Sequence, residues 1–298
     1  MERKEIEIRL DAKTIFRMLL PVMSIYLIQY FCSTVVTEIL MVYDLRHYSS
    51  GSFYNFLEDF MKRSTSVEVT TIINIAYSIV ASLIFAWWYI TKETEPGKVK
   101  HPFKGLTSNF PLMITGLILV VLGLHYVAFY LMNAMAVMFP EMAAEYNQML
   151  DGAGIKAEDI SPAVAAYAVI LGPVCEELAF RGLTYKATLK AMPFVWANLV
   201  QALLFAAIHG SLIQSSYAFV MAMVLGYIMY KYDNIILCIV VHMLFNLLGS
   251  VLSTFFMAGM GSPMVFFIWF LGSMVVTYVG ITMLYKAAPV KEAKTPEE

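Results

Sequence analysis

Charged residues are scarce in this 298-residue chain, and the scarcity excludes an ordinary soluble domain. Asp, Glu, Lys and Arg make up 14% of the residues, whereas soluble domains contain about a quarter. Hydrophobic residues make up 60%. The composition predicts a polytopic membrane protein with the lipid bilayer as its surroundings. The net charge of −2 gives no sign of a nucleic-acid partner, and none is predicted.

Cysteine is equally scarce, and the familiar metal-binding motifs are missing. Cys32, Cys175 and Cys238 are far apart and form no CxxC pair, so the chain has neither a disulfide framework nor zinc-finger spacing. Cys175 has no histidine three or four residues later, so nothing on its own helix would activate it as a nucleophile. All three cysteines are expected to be small packing residues.

Long apolar runs, by contrast, recur along the whole chain. A membrane span needs about 20 mainly apolar residues. Such runs occupy 14–42, 68–91, 110–138, 162–188, 194–211, 214–230, 234–257 and 264–286. We predict an all-α transmembrane bundle of about eight helices within a single membrane domain, 1–298. Residues 287–298 are predicted to form a charged cytoplasmic tail, 43–66 to contain an amphipathic interfacial helix, and 139–160 to form a solvated acidic loop.

Basic residues are distributed unevenly between the two sets of loops. If the N-terminus is inside, the outer loops hold 4 of the 20 Lys and Arg residues, Arg181 lies within a span, and the remaining 15 lie on the inner side. Cytoplasmic loops carry such an excess, so both termini are predicted to be cytoplasmic. The first apolar run is too long for a cleaved signal core and is expected to remain as an anchor.

Two adjacent glutamates, Glu176 and Glu177, interrupt the fourth apolar run. An ionised side chain at bilayer depth costs about 2.5–3.5 kcal/mol, so these residues predict a functional site. Glu177 and Arg181 are four residues apart and can pair on one helix face. Glu176 is rotated by about 100° and has no partner on its own helix. It is therefore available as a general acid or base, and Pro173 is expected to disturb the helix just before it.

Two later segments supply the other polar groups of this predicted site. His209 ends the block Phe205-Ala-Ala-Ile-His209, and His242 and Asn246 share one face of the seventh segment. Measured from the turn at 190–193, Glu176 and His209 lie at similar depths, about 21–24 Å along neighbouring helices. Intramembrane ionisable groups normally face the bundle interior. We therefore predict one site built from Glu176, His209, His242 and Asn246.

The three blocks Glu176-Glu177-Leu-Ala-Phe-Arg181-Gly, Phe205-Ala-Ala-Ile-His209 and His242-Met-Leu-Phe-Asn246 resemble the signature of a known family. It is the CAAX prenyl endopeptidase and bacteriocin-processing (CPBP, or Abi) family of intramembrane peptidases. The resemblance covers a catalytic core at 162–250. It implies an eight-helix membrane fold and hydrolysis of a peptide bond by a glutamate mechanism that uses no cofactor.

The resemblance also implies a role for each matching residue. Glu176 would act as the base, and His209 would orient the attacking water. His242 and Asn246 would form the oxyanion hole. The remaining two residues of the first block, Glu177 and Arg181, would support the site.

The substrate implied by the resemblance is a membrane-associated peptide or a lipidated protein. A prenylated CAAX C-terminus, a leader peptide and a bacteriocin-like peptide all remain open. Only 32 residues separate His209 from His242, a compact spacing that resembles the prokaryotic members, so a prokaryotic plasma membrane is expected. Nothing in the sequence predicts the oligomeric state.

Two other functions remain open at this stage. Glu176, His209 and His242 carry the nitrogen and oxygen ligands that zinc accepts, so a zinc-dependent intramembrane metalloprotease is one alternative, although the chain contains no HExxH motif. The other alternative is a non-catalytic membrane protein that binds peptides or confers immunity.

Overall fold

Ten helices and no strand make up the part of the chain that the structure, a computed structural model, describes: residues 8, 10–48, 52–94, 103, 106–155, 160–251 and 262–289. In chain order the helices are α1 (Ala12–His47), α2 (Phe53–Ser64), α3 (Val67–Glu93), α4 (Phe110–Met138), α5 (Pro140–Gly152), α6 (Pro162–Leu189), α7 (Phe194–Ala207), α8 (Leu212–Tyr232), α9 (Ile235–Ser250) and α10 (Pro263–Ala287). Each of the eight predicted apolar segments forms a helix within the described residues, which confirms the all-α membrane bundle.

Six of the helices in the described residues are long and apolar enough to cross a membrane: α1, α3, α4, α6, α8 and α10. The two shorter apolar helices are α7 and α9. Fourteen residues of α7 extend about 21 Å, less than the roughly 30 Å of a hydrocarbon core. The predicted end of this segment at residue 211 is wrong. The helix stops at Ala207, and Gly210 with φ of +67° turns the chain toward α8.

Side-chain caps explain where several helices begin. Asp11 accepts a hydrogen bond of 2.7 Å from the Thr14 N–H at the start of α1. The Asn234 side chain accepts from both the Ile236 and Leu237 N–H groups at the start of α9. Such caps satisfy backbone donors that have no partner in the first helical turn. They fix the start of α9 seven residues before His242.

Small residues allow α4 and α10 to pack closely. A Cβ atom added at Gly123 would lie 2.3 Å from Thr277 Oγ1, and one added at Gly280 would lie 2.8 Å from the Val120 backbone nitrogen. Only glycine permits this approach, in the manner of small-residue interfaces between membrane helices. The contact holds the last helix against the bundle.

Polar side chains join α7 to α8. Asn198 Nδ2 donates to Met223 O at 2.9 Å, and Gln201 Nε2 donates to Ala222 O at 2.9 Å. Gly226 leaves the space that the Asn198 amide occupies. Interhelical hydrogen bonds of this type stabilise membrane bundles. They hold the short helix α7 against α8.

The segments outside the spans differ from the sequence interpretation in one place. The predicted helix within 43–66 is present as α2, and Arg63 on α2 forms an ion pair with Asp44 at the end of α1. The acidic segment 139–160 is not simply a loop, because α5 begins at Pro140, where proline suits the first helical turn. The predicted tail beyond residue 289 and the end of the seventh segment at 252–257 lie outside the described residues.

Candidate active site

Helix α6 contains two π-helical stretches, one on each side of the glutamates. Tyr167–Leu171 and Leu178–Thr184 are π-helical, and the α-helical turn Gly172–Glu177 lies between them. π-Helical turns are uncommon and are often found at functional sites. The wider turns set the rotation of Glu176 and Glu177 about the helix axis. A regular helix assumed from sequence would not give that rotation.

Pro173 leaves a backbone acceptor in α6 that another helix satisfies. The Gly172 N–H bonds to Tyr167 O, and Pro173 has no N–H to offer to Ala168 O. Asn246 Nδ2, on α9, donates to Ala168 O at 2.9 Å. One of the two amide protons of Asn246 is thus committed to the backbone of α6. This contact ties α9 to α6 one turn from His242.

Glu177 and Arg181 form the ion pair expected from their spacing. Arg181 Nη1 donates to Glu177 Oε1 at 2.7 Å, and both side chains are 0% exposed. Arg181 Nε and Nη2 and the second oxygen of Glu177 have no hydrogen-bond partner among the described residues. The ion pair with Arg181 is what allows Glu177 to be buried, because an unpaired charge in this environment is strongly unfavourable.

His242 bridges the two neighbouring carboxylates. Its Nδ1 lies 2.8 Å from Glu177 Oε1, and its Nε2 lies 3.7 Å from Glu176 Oε2. Arg181 Nη1 donates to the same oxygen, so Glu177 Oε1 is the acceptor in both contacts and Nδ1 is the donor in the first. The relay Arg181–Glu177–His242 therefore fixes the orientation of the imidazole and directs Nε2 toward Glu176.

Glu176 is the more accessible of the two carboxylates. Its side chain is 21% exposed, compared with 0% for Glu177. Tyr77, Tyr167 and Tyr217 come from three helices and are close enough to Glu176 to interact with it electrostatically. The sequence interpretation missed these tyrosines, because tyrosine in a span is usually a packing residue and no local pattern distinguishes them.

His209 lies just beyond the end of α7, and its ring is held by its own chain. Nδ1 lies 2.8 Å from the Phe205 carbonyl oxygen. A carbonyl only accepts, so Nδ1 carries the proton and Nε2 of the neutral ring is an acceptor. The ring is within electrostatic range of both Glu176 and His242. Glu176 on α6 and His209 after α7 therefore lie at similar depths, as predicted.

The structure brings the predicted residues together to different degrees. Direct contacts join Glu176, Glu177, Arg181 and His242, while His209 reaches them across the Phe205 ring. Asn246 lies on the same helix as His242. The cysteine beside the glutamates, Cys175, is buried with its Sγ 3.5 Å from Tyr77 Oη.

No group of three His, Cys, Asp or Glu side chains in the described part of the chain is arranged to hold a metal ion. Both histidines use Nδ1 for protein hydrogen bonds, so only their Nε2 atoms face the site. The absence of a cofactor remains a prediction.

Comparison with known proteins adds one match. Residues 159–248 match the family model described as Rce1-like, type II CAAX prenyl endopeptidase. No curated protein and no solved structure matched the chain. The matched segment runs from just before α6 into α9 and contains every site residue that the sequence predicted. The match agrees with the resemblance drawn from the three sequence blocks over this segment, and the long apolar helices support a multi-pass membrane protein.

Proposed function

We propose that this protein is an intramembrane endopeptidase of the glutamate type. The observation that carries the proposal is the cluster in which His242 lies between Glu176 and Glu177, with Arg181 completing the relay. One carboxylate is locked in an ion pair, and the other is accessible beside an oriented imidazole. Glu176 can therefore act as the base, and His242 can act as a positioned donor beside it.

Glu176 and His209 activate the water. The water donates one proton to the Glu176 carboxylate and its other hydrogen bond to His209 Nε2, the acceptor left by the Nδ1 contact with Phe205 O. The water oxygen attacks the carbonyl carbon of the peptide as the proton moves to Glu176. Glu176 then passes this proton to the leaving amine nitrogen when the carbon–nitrogen bond breaks.

His242 and Asn246 stabilise the tetrahedral oxyanion. Nδ1 of His242 donates to Glu177, so Nε2 can donate to an oxyanion only when the ring is an imidazolium. Nε2 lies 3.7 Å from Glu176 Oε2, so this donor is beside the base. The second amide proton of Asn246 supplies the other donor. A single oxyanion donor is worth about 2.7–4 kcal/mol in soluble enzymes.

The substrate is a membrane-associated peptide or a lipidated protein. The CAAX-type description of the matched family supports a prenylated C-terminus, and leader or bacteriocin-like peptides share the required chemistry. The test is comparative peptidomics of cells that contain the intact protein or Glu176→Ala. One precursor should accumulate in the variant, and its product should appear when the purified protein in liposomes receives that precursor. Identical peptide profiles and no cleavage in liposomes would reject the function.

The liposome reaction also distinguishes the glutamate mechanism from the zinc-dependent alternative. A strong chelator is expected to leave the rate within about twofold of its starting value, because Glu176 and His209 act on water without a metal ion. A zinc enzyme would lose activity and regain it when zinc is added back. Loss and recovery of this kind would overturn the glutamate mechanism.

We also propose that both termini are cytoplasmic, on the basis of the excess of Lys and Arg in one set of loops. A reporter protein that is active only in the cytoplasm, fused after residue 298, is expected to be active. The same reporter inserted after Lys156 should be inactive.

A further inference from the structure

The ring of Phe205 packs against Arg181 and against both site imidazoles, His209 and His242. It is 0% exposed. Arg181 Cζ lies 4.5 Å from the ring centroid, the His209 ring lies at 4.8 Å, and the His242 ring lies at 5.9 Å. Phe180 packs edge-on against it at 5.0 Å. One apolar side chain therefore contacts three of the polar groups of the site.

The ring also compensates for hydrogen bonds that Arg181 does not make. Only Nη1 of the guanidinium donates to a carboxylate, while Nε and Nη2 have no partner among the described residues. The face of an aromatic ring carries partial negative charge and attracts a cation, most strongly where water is excluded. An aliphatic side chain of similar size would fill the volume but would not provide this attraction.

The backbone of the same residue orients His209. The Phe205 carbonyl accepts the Nδ1 proton of His209 at 2.8 Å, and this contact leaves Nε2 as the acceptor that water activation requires. Phe205 is buried and its ring is surrounded by protein groups, so it does not reach the substrate. Its influence on the reaction must act through the residues that it holds.

We propose that Phe205 is a positioning residue that fixes Arg181, His209 and His242 relative to one another, an inference that rests on the proposed peptidase function. The ring face holds the guanidinium, and with it the relay through Glu177 to His242. The ring and the backbone carbonyl together hold His209. Small displacements of catalytic groups can cost about 10²-fold in rate. A change at Phe205 is therefore expected to lower kcat.

The test replaces Phe205 with phenylalanines that carry one, two or three fluorine atoms, which weaken the negative ring face with little change in shape. Phe85 on α3 is the matched control, because it is also 0% exposed and no cation lies over its ring in the described part of the chain. Trifluorination at 205 is expected to lower the unfolding temperature by about 2–4 °C more than at 85. It should lower kcat about tenfold and leave KM within about twofold.

Each readout answers a separate question. Unfolding needs no substrate, so an inactive wild-type protein would count against the proposed function, while the comparison of unfolding temperatures would still decide whether the ring holds Arg181. Equal effects at positions 205 and 85 would overturn the inference. A lower unfolding temperature with unchanged kcat, or a change confined to KM, would also overturn the positioning role.

Discussion

Replacing Glu176 with glutamine is expected to lower kcat for peptide cleavage by about 10²- to 10⁴-fold, the usual contribution of a general base. Glutamine has the same shape but cannot take the proton from water. The Glu176 side chain is 21% exposed, and its ion-pair contact is with His242, whose Nε2 lies 3.7 Å from Glu176 Oε2. The fold should therefore survive, and KM should change little. Cleavage of the precursor in liposomes is the measurement.

A matched control isolates the effect of this carboxylate. Glu145→Gln removes an exposed carboxylate on α5, away from the cluster, and should retain the full rate. Unfolding temperatures of both variants should stay close to that of the wild type. A Glu176→Gln protein that cleaves at the wild-type rate would dismiss Glu176 as the base, whatever the substrate.

The second large effect is expected from breaking the buried ion pair. Arg181→Met leaves Glu177 as a buried carboxylate without its cation, and such a change costs about 3–5 kcal/mol in the free energy of unfolding. The double variant Glu177→Gln/Arg181→Met removes both charges and should recover most of that loss. Its kcat should still be about 10- to 100-fold low, because His242 loses the carboxylate that orients it.

Denaturant unfolding in detergent micelles measures the free energy of unfolding of both variants. A variant of a more exposed ion pair serves as the control. Lys190 Nζ lies 2.7 Å from Glu93 Oε2, and the lysine side chain is 64% exposed. Lys190→Met should therefore cost no more than about 1 kcal/mol. If Arg181→Met costs no more than Lys190→Met, the pair does not stabilise the site as described. Full activity in the double variant would remove Glu177 from the relay.

Asn246 illustrates how one residue can serve both structure and chemistry. Its amide satisfies Ala168 O, which α6 leaves without a helical donor because of Pro173. The same amide retains a second proton for the proposed oxyanion hole. Loss of activity in an Asn246 variant would therefore be read together with its unfolding temperature.

The local features of the chain were predictable because they depend on neighbouring residues. Eight apolar segments followed from composition and length, and each forms a helix where the structure describes it. The contact between Glu177 and Arg181 followed from a spacing of four residues. The end of α7 was predicted too late, because the apolar run continues past Ala207 while the backbone turns at Gly210. The acidic segment 139–160 was taken for a loop, although Pro140 begins a helix there.

The sequence by itself determined that this is a helical membrane protein with ionisable groups at the depth of the bilayer, and that Glu177 pairs with Arg181. These properties depend on composition and on the pitch of a single helix. Only the tertiary structure decided that His242 lies between both glutamates, that Phe205 packs against Arg181 and both imidazoles, and that Asn246 bonds to Ala168. Those contacts join residues up to 78 positions apart. They depend on how far each helix is rotated about its axis, which the π-helical turns of α6 and the packing of α7 and α9 set together.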